Sequence, residues 1–141
     1  MSDEKIEELV EEMYMLYLRW LDVFEEVMET LHDIYAEEQD KEKAVEEGRK
    51  LAIKHKPLFT KLVRGLVDKY GLSMVLDAIT GFLHERVFGV LYECAPILLT
   101  AKSRRARFRL LNVIDQVWID TLFACYLLDI LSKITEGEGG R

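Results

Sequence analysis

Glycine and proline are scarce in this chain of 141 residues: there are eight glycines, three of them in the last five positions, and two prolines, Pro57 and Pro96. With so few breakers, and with Glu, Leu, Ala, Lys and Arg outnumbering strand formers in the first 70 residues, the composition predicts helices throughout. Cysteine is limited to Cys94 and Cys125, without CxxC spacing, which excludes a locally written zinc knuckle or redox pair. Both read as small core residues. Asparagine and glutamine are reduced to Gln39, Asn112 and Gln116, a bias that resembles heat-adapted proteins and keeps a Cys94–Cys125 disulfide in view.

Long apolar runs are missing too. The longest, 94–101 and 121–128, fall far short of the roughly 18 to 20 residues of a membrane span, so no membrane partner is expected. The opening Met-Ser-Asp-Glu-Lys-Ile-Glu-Glu is acidic where a secretory signal is basic and then apolar, which makes the cytoplasm the expected location. There is no GxSxG elbow, no Gly-rich phosphate loop and no zinc-finger, RRM or KH signature.

What is present is helical periodicity. Ile6, Val10, Met13, Tyr17, Trp20, Phe24, Val27, Leu31 and Ile34 step by four and three, a heptad seam along a first helix reaching about Glu37. Leu9, Leu16 and Val23 flank it on one side and Tyr14, Leu21, Met28 and Tyr35 on the other. One neighbouring helix cannot cover so wide a face, so the helix either lies in a groove between two others or turns part of that face to a second chain, with Tyr14, Leu16, Leu21 and Met28 as interface candidates.

Asp40 predicts the cap of a second helix, which Pro57 should kink or end near His55 or Lys56 before a stripe from Leu58 to Val67 leads to Gly71. Ser73 should cap a third helix, broken or kinked at Pro96, and Ser103 a fourth over about 104–135. Apolar residues occupy nearly every side of the last helix, which suits a core or interface position. The expected architecture is an all-α antiparallel bundle of four principal helices in a single domain, 1–135, with breaks near the two prolines and a flexible tail at 136–141.

Charge is divided along the chain. Residues 1–40 hold fourteen acids against two bases, and 41–69 hold nine bases against four acids, which suits two helices lying side by side. Lys102, Arg104, Arg105, Arg107 and Arg109 crowd a helix start, against the helix dipole, and call for an anion. That anion is either acidic protein surface or nucleic-acid phosphate. The overall charge of −7 and a lone aromatic, Phe108, among these bases put the nucleic-acid reading second.

Three further patterns carry candidate chemistry. Glu29 and His32 form an ExxH pair on one helical face, but di-iron bundles need two such pairs. A metal site drawn from the sequence therefore borrows His84 and Asp120. Asp77, His84, Asp115, Gln116 and Asp120 lie within apolar stretches and read first as a polar network that sets helix register. The paired acids Glu7-Glu8 and Glu11-Glu12 read as a solvated face. Gly81 and Gly89 read as points of close helix approach.

Taken together, the sequence predicts a non-enzymatic helical interaction module that self-associates as a dimer, without a cofactor. A small helical subunit of a nucleic-acid-associated assembly comes second, and a metal-dependent helical enzyme third.

Overall fold

The computed structural model describes residues 3–100 and 103–139, with side chains for 4–96, 100, 103–105 and 112–136. The protein is an all-α helical bundle, and no strand occurs among the described residues. Its helices are α1 (Asp3–Glu38), α2 (Lys41–Tyr70), α3 (Leu72–Leu83), α4 (Gly89–Thr100) and α5 (Arg104–Gly139), with a π-helical turn at His84–Phe88 between α3 and α4. The sequence pointed to one domain; the contacts group the chain into two compact units, Met1–Lys69 and Tyr70–Arg141.

The first unit is an antiparallel helical hairpin. Its link is Gln39–Asp40, where Gln39 takes a φ of 51° and its amide donates to the Tyr35 carbonyl at 2.9 Å. Asp40 caps α2 as the sequence predicted, its Oδ1 accepting from the Lys43 amide at 3.1 Å. From this turn the partners march apart in step: Lys43 Nζ pairs with Glu38 at 2.8 Å, His55 Nε2 lies 3.6 Å from Glu26, and Lys69 Nζ lies 3.4 Å from Glu12. Glu12 to Glu38 spans about 39 Å of helix at 1.5 Å per residue, so the register holds over nearly the whole hairpin.

Gly48 is the tight point of that register. A methyl group placed on it would stand 3.0 Å from Leu31 Cδ2 and 3.5 Å from Val27 Cγ1. The expected close approaches, Gly81 and Gly89, are not of this kind: a methyl on Gly81 meets nothing within 4 Å, and one on Gly89 meets only the His84 carbonyl at 3.4 Å. Glycine in a helix signals closeness only when a neighbour arrives, and sequence spacing does not show where that is.

Burial in α1 selects Leu9, Met13, Leu16, Tyr17 and Trp20, and in α2 Ala44, Phe59, Val63 and Leu66. The heptad seam is thus correct from Met13 to Trp20 but shifts at its start, where Leu9 is buried while Ile6 and Val10 are exposed. The apolar face is wider than one stripe, and periodicity alone cannot choose between adjacent stripes.

Neither proline ends a helix. Pro57 lies inside α2 and Pro96 inside α4. A proline leaves the carbonyl four residues earlier without its donor, here that of Ile53 or Tyr92. Both pairs, Ile53 with Pro57 and Tyr92 with Pro96, lie on exposed faces, where water can take the freed carbonyl.

In the second unit, α3, the π turn and α4 form one rod that contacts α5 along its length. Gly71, at φ 90°, starts α3, and the Val75 amide bonds its carbonyl at 3.2 Å; Ser73, the expected cap, falls inside the first turn. Gly89 N–H reaches back five residues to the His84 carbonyl, the signature of the π turn. Phe82 meets Phe123 edge-on at 5.4 Å, with the Arg86 guanidinium 5.5 Å over the Phe82 ring. The buried set is Met74, Val75, Ile79 and Val87 on the rod, and Phe123, Ala124, Leu127, Ile130, Leu131 and Ile134 on α5. The helix of α5 continues past Thr135 to Gly139.

Three substitutions test this fold. Gln39→Gly should raise stability by about 1 kcal/mol, roughly 3 °C in Tm, by relieving the left-handed residue. Gly65→Ala, with nothing within 4 Å of the added methyl, should add about 0.5–1 kcal/mol. Gly48→Leu should cost about 1–3 kcal/mol by forcing Leu31 away. Urea melts followed by circular dichroism measure all three, and an unchanged midpoint for Gly48→Leu would contradict the register.

Candidate interaction surfaces

Three surfaces stand out once the buried residues are assigned. On α1, Ile6, Val10, Tyr14 and Leu18 form an exposed row at every fourth position, with Met15 beside it. Glu7 and Glu11 lie one turn from these residues on the same flank. The row runs beside the buried strip of Leu9, Met13 and Leu16, so α1 is apolar on two adjacent faces.

Of the interface candidates, Tyr14 is 47% exposed, and Leu21 and Met28 are half-buried. Leu16 is 4% exposed and belongs to the core, so a charge introduced there attacks the fold. The reason is the choice of stripe: Leu16 shares its face with Leu9, Met13 and Trp20. Tyr17 stacks along the same helix on Trp20 at 6.4 Å, and Trp20 on Phe24 at 5.2 Å, which places this aromatic set in packing.

The second surface is on α2. Ile53, Lys56, Pro57, Thr60, Lys61 and Arg64 line an open depression of about 460 Å³. It lies beside the buried strip of Phe59, Val63 and Leu66, with half-buried Lys56 and Thr60 at the border and Ile53, Pro57, Lys61 and Arg64 exposed. Its floor is apolar and its rim cationic. Lys61 and Arg64 make no ion pair with any described residue. The sequence marked Pro57 as a breaker and the surrounding bases as part of a charge balance; only the helix running through Pro57 puts them on one face.

The third lies on α5. Ile114, Trp118, Thr121, Cys125 and Leu128 are spaced by four, three, four and three, and Trp118 is 63% exposed. At about 100° per residue this row sits opposite the buried face of Phe123, Leu127, Ile130 and Ile134. A second heptad row was therefore written in the sequence, hidden by apolar residues on the other side.

The remaining candidates do not assemble. Glu29, His32 and His84 are exposed, whereas Asp120 is 2% exposed and its Oδ1 accepts from Gln116 Nε2 at 3.0 Å. Among the described residues no three His, Cys, Asp or Glu side chains come together as a metal site. Asp77, Asp115 and Gln116 are exposed, so the predicted polar network reduces, within the core, to Asp120. His84 instead faces the Phe88 ring at 6.5 Å.

Cys94 and Cys125 are free thiols. Arg104 and Arg105 are exposed at the start of α5; Lys102 and the side chains of Arg107 and Arg109 lie outside the described residues. The Tyr126 phenol is held above its ordinary value by burial and, secondarily, by the Asp129 carboxylate. No described helix is long and apolar enough to cross a membrane.

Compared with known proteins, the chain matches no family model, no curated protein and no solved structure.

The burial of Asp120 assigns it a structural task. Asp120→Ala should lower stability by about 1–3 kcal/mol, the range for disturbing a buried hydrogen-bonded group. Neither that change nor His32→Ala should alter metal content measured by inductively coupled plasma mass spectrometry. Stoichiometric metal that disappears in either variant would reverse the conclusion.

Proposed function

We propose that the protein is a non-enzymatic helical interaction module that self-associates as a dimer through apolar surface on the outer sides of α1 and α5. The observation that carries this reading is the heptad row on α5 that includes Trp118, a large aromatic side chain left 63% exposed. Tryptophan and tyrosine are the residues most enriched among those that dominate association, because they remove much apolar area from water at small entropic cost. An isolated exposed leucine needs no explanation, but an ordered row that includes an exposed tryptophan does.

The α1 row adds Tyr14 to the same account. The free thiols of Cys94 and Cys125 fit a reducing compartment such as the cytoplasm.

Sedimentation equilibrium tests the proposal. The wild type should behave as a dimer, and Trp118→Glu should weaken association by roughly thirtyfold or more, in keeping with loss of an interface anchor worth about 2 kcal/mol. Far-ultraviolet circular dichroism should be unchanged by that substitution, since the side chain is exposed. A wild type that remains monomeric at high concentration would refute self-association.

A further inference from the structure

We infer that the cation-rimmed depression on α2 is the docking site for the acidic apolar row of α1 from a second copy of this chain. The inference rests on the self-association proposed above and names what the α1 row meets, the α5 row being a separate contact. Its basis is a match in shape, charge and length between two surfaces of the same unit.

The shape match follows from helix geometry. Ile53, Pro57 and Lys61 form one ridge of residues four apart, and Lys56, Thr60 and Arg64 form the adjacent parallel ridge. Between two such ridges lies a groove. Ile6, Val10, Tyr14 and Leu18 are themselves a ridge of residues four apart, all exposed. A ridge of this type entering a groove of this type is the commonest helix packing in globular proteins, with the axes crossing at about 50°. One wall of the groove offers the Ile53 side chain and the Pro57 ring to the entering Val10 and Tyr14, so docking removes apolar surface of both partners from water.

The charge match is specific. Lys61 and Arg64 have no ion pair in the described structure, and neither do Glu7 and Glu11. Within one copy, α1 and α2 satisfy each other through Glu12 with Lys69 and Glu38 with Lys43. The outer charges are left over, acids on one helix and bases on the other. Lengths agree as well: the α1 row covers about 18 Å of helix and the α2 face about 16 Å at 1.5 Å per residue. The openness of the depression suits a helix laid across it better than a small molecule enclosed by it.

A charge-swap experiment tests this with the full chain. Two double variants are prepared, Glu7→Lys with Glu11→Lys, and Lys61→Glu with Arg64→Glu, and their helicity is compared with the wild type. In sedimentation velocity at low salt, each alone should self-associate at least about tenfold more weakly than the wild type, because like charges then face one another. An equimolar mixture of the two should regain association to near the wild-type level, since reversed acids meet reversed bases. Raising the salt to 1 M, where screening reaches about 3 Å, should weaken the wild-type complex.

If the wild type associates but both double variants do so equally well, the α1–α2 docking is wrong while the self-association reading stands. Loss of association in Trp118→Glu alone would then point to the α5 row as the whole interface. Failure of the mixture to recover would also overturn the inference. A monomeric wild type would remove both.

Discussion

The reversal at Gln39–Asp40 is the constraint on which the first unit depends. A link this short leaves α1 and α2 no choice but to lie antiparallel, and the Asp40 carboxylate fixes where α2 begins by taking the Lys43 amide. Once the start is fixed, the register follows residue by residue, through Gly48 against Leu31 and on to Lys69 beside Glu12. The register decides which strip of the broad apolar face of α1 is buried. It also decides which strip is left, and the remaining row of Ile6, Val10, Tyr14 and Leu18 is the raw material of the proposed interface.

Charge works at two distances in this hairpin. Near pairs such as Lys43 with Glu38 are exposed and contribute little to stability, in the range of about 0–1 kcal/mol. Their effect is on choice of partner. The acids and bases that the hairpin does not use internally lie on its outer sides, and complementary fields of that kind speed encounter and select orientation more than they add affinity. A chain that carries both signs on separate helices has the means to recognise itself.

The second unit shows how a helix can be apolar on two sides for two reasons. The inner face of α5 holds Phe123 against Phe82, and the outer face carries the Trp118 row. The rod it contacts includes the π turn His84–Phe88, within which Val87 is buried and Phe88 exposed. Such turns are frequent at functional sites, yet here His84 and Glu85 gather no further ligands among the described residues.

By itself the sequence determined the helical class, the Asp40 cap, the glycine at 71, the separation of charge and the surplus of apolar surface, because each of these is local or a simple sum. Capping needs only neighbours in the chain, and a period of 3.6 marks a helix wherever it lies. It also indicated Tyr14 as a surface residue. Only the tertiary structure decided that Leu16 is core, that Gly48 is the close approach, that helices pass through Pro57 and Pro96, and that Asp120 is buried while Glu29 and His32 are exposed. These depend on which of several equivalent faces a neighbour covers. A helix with more apolar positions than one partner can cover leaves that choice open until another helix arrives.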